Sequence, residues 1–278
     1  MTITVVIPLY NKKNTIVRAL DSVLNQQVLP DRIIVVNDGS KDGSEKEVEN
    51  LNHPLITLVH QENKGVSAAR NKGIEVAKSE WIAFLDADDY WCETFIKEIF
   101  NLIKVSPKIK AIGTNYYIKN NDSLIVNYLK RSQHIKDNSI NDYFKFAAFN
   151  NPPIWSSAVA LKKSLFIKIN GFEENLHSGE DLLMWAKIAL VTNYGYINKP
   201  LAVWNFDDAT VRIPENPDIF SKLFLELIKN QSEESTKVKL KNYLLYWKKI
   251  RISQYISHKD IRFLSELIQF LKIKFFPF

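Results

Sequence analysis

The chain has 278 residues, 46% of them hydrophobic, which suits one large core or a domain with an appendage, and nothing in it suggests disorder. Its net charge of +6 is uneven: residues 236–278 carry ten Lys/Arg against Asp260 and Glu266, leaving −2 for residues 1–235, so the electrostatic case for nucleic-acid binding by the main body falls away. Cys92 is the only cysteine, which excludes an intramolecular disulfide and a cysteine zinc site; no signal-peptide pattern opens the chain and no apolar run reaches membrane-spanning length, so a cytoplasmic protein is expected.

In chain order, β-branched Thr2–Leu9 reads as a strand, and Asn14–Gln27 carries Ile16, Val17, Leu20, Val23 and Leu24 at helical spacing. Ile33–Asn37 is a second strand, and Asp38-Gly39-Ser40 turns the chain toward a polar helix. Leu55–His60 as a strand, Gly65–Ala77 as a helix and Trp81–Leu85 as a strand complete a βαβ alternation, which predicts a mostly parallel sheet covered on both faces. Helices are then expected at Cys92–Val105, Ile140–Phe149 and Leu182–Val191. Strands are expected at Ala111–Ile118, Leu124–Tyr128, Ile154–Leu161, Tyr194–Ile197 and Leu201–Phe206, and helix from Pro217 onward.

The chemistry concentrates where strands end. Asp86-Ala87-Asp88-Asp89 follows the apolar Trp81–Leu85, and three carboxylates in four residues repel one another unless a cation or hydrogen-bond donors offset them. Hard divalent ions are often held by one or two carboxylates plus substrate phosphates, which points to a phosphorylated substrate; a solvated turn with an Asp N-cap is the ordinary alternative. In open parallel sheets, ligands bind beyond the carboxyl ends of the strands, and Tyr10-Asn11, Asp38-Gly39-Ser40 and Asp86–Asp89 all fall there. The glycine-rich dinucleotide and P-loop patterns are missing, which argues against a dehydrogenase or a P-loop NTPase.

Four segments, Val6-Ile7-Pro8-Leu9-Tyr10-Asn11, Ile34–Ser40, Asn63–Asn71 and Phe84–Asp89, resemble in order and spacing the family 2 glycosyltransferases, whose nucleotide-binding domain has the GT-A fold. The resemblance implies a nucleoside pocket lined by Pro8 and Tyr10, with Asp38 accepting from the uracil N–H and Arg70 near the nucleotide. It makes Asp86 and Asp88 a D-x-D element, Asp86 toward ribose and metal and Asp88 on a Mn²⁺ or Mg²⁺ ion. Glu180-Asp181 resembles the family's Glu-Asp motif, with Asp181 as general base. Trp155, His177 and Glu180 fall on the acceptor side; a core Trp is the alternative for Trp155, and first-turn dipole compensation and capping the alternative for Asp181. Many relatives carry a Tyr-Arg-x-His segment where this chain has Trp204-Asn205-Phe206-Asp207-Asp208-Ala209-Thr210, so the Arg and His are absent, with Arg212 a candidate substitute.

The implied organisation is a catalytic domain over residues 1–212, with a nucleotide-sugar half (1–110) and an acceptor half (111–212), and a basic helical extension over residues 213–278. The implied reaction moves a hexose, with inversion, from a UDP-linked donor to a glycan or lipid-linked acceptor of polysaccharide biosynthesis. Rival readings are a sugar-nucleotide pyrophosphorylase, which would present a glycine-rich N-terminal loop absent here, and a non-catalytic nucleotide-sugar-binding module. The basic amphipathic residues 236–278 suit an anionic membrane surface on the inner face of the cytoplasmic membrane; packing on the catalytic domain and a homodimer interface are the alternatives.

Overall fold

The computed structural model describes residues 1–130, 135–148, 150–176, 178–206 and 217–275. His177 and residues 207–216, Arg212 among them, lie outside the described residues. The opening alternation forms as β1 (Ile3–Leu9), α1 (Ile16–Leu24), β2 (Arg32–Asp38), α2 (Ser44–Leu51), β3 (Ile56–Gln61), α3 (Val66–Val76) and β4 (Trp81–Phe84). There follow β5 (Tyr90–Trp91), α4 (Phe95–Val105), β6 (Ala111–Asn120), β7 (Ser123–Val126), β8 (Ile135–Lys136), β9 (Ser139–Ile140) and α5 (Tyr143–Ala147). The chain closes with β10 (Val159–Lys162), α6 (Lys163–Ile169), α7 (Glu180–Ala189), β11 (Tyr194–Asn205), α8 (Pro217–Lys229), α9 (Glu234–Ser257) and α10 (Arg262–Phe275).

The strands join one sheet whose main order is β3-β2-β1-β4-β10-β6-β11-β9-β8. β3, β2, β1 and β4 run parallel, whereas β10 is antiparallel to both β4 and β6. Having laid β2 and β3 on one side of β1, the chain places β4 on the other, so the strand order reverses at β1. Loops leaving β1 and β4 therefore diverge and open a crevice at their carboxyl ends.

Buried β-branched strands separate two apolar layers. Val5, Ile7, Ile33 and Val35 face α1, α2 and α4 through Leu20, Val48 and Ile99. Val6, Ile34 and Val36 face the other layer, in which α3 approaches so closely that a Cβ on Gly73 would stand 2.3 Å from Val6 Cγ1. That second layer continues through Trp185 of α7 into Leu240, Tyr243, Leu244 and Trp247 of α9. The basic C-terminal helices thus share the core of the main body, with Tyr243 packed against Phe144 and Phe224.

Three expectations are refined. The strand expected over Ile154–Leu161 starts at Val159, after a 3-10 turn over Ser156–Ala158 that Pro152-Pro153 introduces. The two strands expected over Tyr194–Phe206 are one bulged strand, its register against β6 shifting on either side of Pro200, where a proline removes a ladder donor. α6, which follows β10 directly, has no counterpart in the sequence reading.

Candidate active site

The crevice at the β1 and β4 exits is a cleft of about 740 Å³ whose walls include Pro8, Tyr10, Lys12, Asp38, Lys64, Arg70, Asp86, Asp88, Trp155 and Glu180. Each strand supplies what its end carries: Tyr10 after β1, its side chain exposed at the lip, Asp38 at the end of β2, and Asp86 to Asp89 after β4.

The crowding of carboxylates is resolved by giving each its own partners. Asp86 Oδ1 accepts from Arg70 Nη2 at 2.8 Å, Asp88 Oδ2 pairs with Lys12 Nζ at 2.6 Å, and Asp89 turns inward to neutral donors. Asp89 accepts from Ser157 Oγ at 2.5 Å, Trp155 Nε1 at 3.1 Å and the Asn205 N–H at 2.9 Å. Ser157 Oγ in turn accepts the Asp86 N–H at 3.0 Å, so one buried carboxylate ties the β4 exit to the turn before β10 and to the end of β11. Burial first, then the charges of Asp86 and Asp88, push the Asp89 carboxyl up to about 8. Burial and Asp86 likewise raise Asp88, against the opposing pull of Lys12.

Arg70 of α3 links the β4 exit to α7. It is 3% exposed, its Nη1 donates to Glu180 Oε1 at 3.3 Å, and its guanidinium lies 5.3 Å from the Phe172 ring centre. Burial alone would lower its pKa, but Asp86 and Glu180 outweigh that and hold it charged. Asp38 is committed locally: Gln61 Nε2 and the Lys64 N–H reach Oδ1, and the Gly65 N–H reaches Oδ2, each at 2.8 Å. A carboxylate has about four lone-pair sites, so one stays available to a ligand N–H.

α7 brings the acidic pair. Glu180 lines the cleft, whereas Asp181 does not; its Oδ1 accepts the Leu182 N–H at 2.7 Å, and its charge raises Tyr116 and Tyr143, secondary there to burial. Burial, then Glu180, against relief from Arg70 and the Leu182 N–H, push the Asp181 carboxyl up to about 7. The pair is aimed by Gly179, which caps α7 at φ +82°, and a Cβ there would meet Arg251 Nη2 at 2.9 Å and Phe220 at 3.0 Å. Arg251 reaches from α9 to donate to the Ser178 carbonyl at 3.0 Å and lies 4.3 Å over the Phe220 ring.

The structure thus gathers Pro8, Tyr10, Asp38, Arg70, Asp86, Asp88, Trp155 and Glu180 into one cleft, sets Asp181 beside it, and leaves His177 outside the described residues. Lys12 and Gln254, for which the sequence pointed to no role, line the cleft, as do Asp89 of the carboxylate cluster and Trp204 and Phe206 of the stretch expected over the donor or against the acceptor. Trp204 and Phe206 alternate at period 2, a signal legible in sequence, and Trp204 packs on Trp155 with ring centres 4.6 Å apart. Gln254 had no signal, because residues 236–278 read as a basic amphipathic segment with nothing to tie a polar position in it to the cleft.

Among the described residues no group of three His, Cys, Asp or Glu side chains forms a metal cluster. Asp86 and Asp88 nevertheless line the same cleft, and two carboxylates completed by donor phosphates are a usual setting for Mg²⁺ or Mn²⁺, so the donor set fits such an ion.

A three-layer α/β protein with an acid-lined cleft at its strand reversal is the class that fold and site define. The sequence model described as Glycosyl transferase family 2 matches residues 4–169, and the chain belongs to that family. An uncharacterized glycosyltransferase of Rickettsia felis is 32% identical over 207 residues, covering 72% of this chain and 32% of that protein, so the chain spans about a third of that relative's length. The crystal structure of S. aureus TarS 1-349 in complex with UDP-GlcNAc superposes with a TM-score of 0.78 at 20% identity, over 98% of this chain and 81% of that one. Mannosyltransferase PcManGT from Pyrobaculum calidifontis, in complex with GDP-Man and Mn²⁺, gives 0.61 at 19% identity, over 99% and 80%. These neighbours share the GT-A architecture expected from the sequence.

Proposed function

We propose that the chain is an inverting glycosyltransferase that moves a hexose from a UDP-linked donor to a hydroxyl of a growing bacterial-type surface glycan or lipid-linked acceptor. The observation that carries this is the meeting, in one cleft at the strand reversal, of Tyr10 and Asp38 with Asp86, Asp88, Arg70 and Glu180. UDP-GlcNAc in the TarS complex supports a uridine donor, and Mn²⁺ in the mannosyltransferase complex supports a divalent ion.

Tyr10 stacks on the base and Asp38 uses its remaining lone pair on the uracil N–H, while Pro8 closes the pocket floor. Asp86 and Asp88 would hold Mn²⁺ or Mg²⁺, which when bound neutralises charge growing on the departing diphosphate. Arg70, fixed between Asp86 and Glu180, keeps donor and acceptor sides in register. Asp181, which adjoins the cleft beside Glu180, would take the proton of an acceptor hydroxyl that reaches past Glu180, as that oxygen attacks the anomeric carbon opposite the nucleotide. A carboxyl titrating near 7 suits a base working at neutral pH. One displacement inverts that carbon. Trp155 and Trp204 offer ring faces to the acceptor sugar.

We assign catalysis to residues 1–212, donor binding to 1–110 and acceptor binding to 111–212, with residues 213–278 an extension whose Gln254 reaches the cleft wall. The setting we propose is cytoplasmic; no described helix is long and apolar enough to cross a membrane. The test is a thermal-shift panel of nucleotide diphosphates and nucleotide sugars with Mn²⁺, followed by NMR of the product's anomeric configuration. UDP at about 100 times its Kd should stabilise the fold by about 2.7 kcal/mol. No shift with any nucleotide diphosphate would overturn the donor reading, and a retained anomer would overturn the single displacement.

A further inference from the structure

α10 is apolar on two sides: Phe270 and Ile273 are buried inward against the body, and a second apolar stripe faces solvent. Its inner face carries Glu266, fully buried, whose carboxylate is met by Lys248 Nζ of α9 at 2.7 Å, and the same Nζ donates to Gln269 Oε1 at 2.7 Å. Ile261, Leu264, Leu267, Ile268, Leu271 and Phe275, between 37% and 76% exposed, face outward. At about 100° per residue these six fall within an arc of about 120°, and the exposed Lys272 and Lys274 stand on its two edges. The helix could hide this stripe only by rolling over, which would strand Lys248 and Glu266 without partners, so the buried pair fixes the apolar face outward.

We propose that this face of α10 docks on a bilayer surface containing anionic lipid. The charge pattern selects that occupant. The sole acid within α10, Glu266, is buried, so the charges the helix itself shows beside the stripe are cations; just before it Lys259 adds another, and the acid there, Asp260, is paired with Arg262. Lipid tails accept the Leu, Ile and Phe side chains while acidic headgroups meet the lysines. A second copy of the chain fits poorly, because a two-fold interface sets the patch against itself and brings lysines toward lysines. Docking also has a place in the architecture: α10 packs along α9, whose Gln254 lines the cleft one turn before the α9–α10 corner, where Ile256 and Ile261 are exposed. The cleft mouth would then open beside the lipid surface, whichever sugar it transfers.

Vesicle flotation of the full chain tests this, with phosphatidylglycerol–phosphatidylcholine vesicles against phosphatidylcholine alone. The chain should float with the acidic vesicles and lose that binding in high salt. Lys272→Gln with Lys274→Gln should weaken binding about 30-fold, at about 1 kcal/mol per lysine near an anionic surface. Leu267→Gln with Leu271→Gln should weaken it at least as much. Both double variants alter exposed side chains, so melting temperature and UDP-sugar hydrolysis should match the parent. The proposal is overturned if the parent chain does not float with acidic vesicles, or if both double variants float as it does. It is equally overturned if light scattering shows a dimer that Leu267→Gln with Leu271→Gln dissolves while vesicles capture nothing. The readout is binding, so its failure leaves the donor test above untouched.

Discussion

The strands β1 to β4 and the helices α7 to α9 both supply the cleft, but they do so by different means. In the first region each functional residue sits at the end of the strand that carries it, and the parallel register delivers Tyr10, Asp38 and Asp86 to one edge. In the second, Glu180 and Gln254 come from helices of the second apolar layer, Trp204 from β11 and Trp155 from the turn before β10, both packed against the first layer, so the four meet only through tertiary packing. The first arrangement is fixed by local sequence and strand order. The second depends on distant contacts, so it should be the more easily broken.

Truncation after residue 235 should have the largest effect. It removes Leu240, Tyr243, Leu244 and Trp247 from the second apolar layer, and at about 2–5 kcal/mol for each large core side chain the loss exceeds the stability of an ordinary domain. The expected result is loss of the cooperative melting transition by circular dichroism; a truncated chain that melts like the parent would show the helices to be an accessory.

Asp181→Asn should come next, lowering turnover about 10²- to 10⁴-fold while the Kd for the nucleotide sugar by calorimetry stays near that of the parent. Near-parental turnover would move the base elsewhere, with Glu180 the nearest alternative. The same carboxyl sets the pH dependence. Its native pKa is raised to about 7 and only the ionised form accepts a proton, so kcat should fall about tenfold per pH unit below that value and level off above it. A profile flat down to pH 5 would separate Asp181 from the rate-limiting proton transfer.

Asp38→Ala probes the first region. It strands the Gln61, Lys64 and Gly65 donors and should cost about 2–4 kcal/mol in urea unfolding, together with uridine nucleotide binding. Gly179→Ala probes the second: a left-handed φ in alanine costs about 1–2 kcal/mol, and the new Cβ pushes on Arg251 and Phe220. Here turnover should drop with donor affinity kept, because the displaced turn carries Glu180 and Asp181. The smallest effect is expected for Trp204→Ala, between about twofold and tenfold on the acceptor KM with kcat unchanged, given about 0.5–1.5 kcal/mol for an aromatic contact.

The alternation of strands and helices, and the standing of Tyr10, Asp38 and Asp86 at strand ends, were legible because each signal is local. Asp86, Ala87, Asp88 and Asp89 follow one apolar run, and the exit of a buried strand in a parallel sheet has only one place to go. What the three carboxylates do was not legible. Repulsion among them required partners, yet that Arg70 would take Asp86, Lys12 would take Asp88 and Asp89 would turn inward depends on residues that are remote in sequence. The C-terminal helices show the same limit: the charge surplus of residues 236–278 is plain in the sequence, but Lys248 and Arg251 are buried and only part of that charge faces solvent.

By itself the sequence determined the alternation of strands and helices, the family, and the set of side chains standing at the carboxyl edge of the parallel strands, since periodicity and motif spacing act over a few residues. Only the tertiary structure decided which carboxylate meets which cation, that Glu180 rather than Asp181 lines the cleft, and that α10 leaves one of its two apolar stripes facing solvent. Those outcomes are set by packing between elements as far apart as Arg70 and Glu180, or Lys248 and Glu266, where burial selects one rotation of a helix over another and no local pattern records the choice.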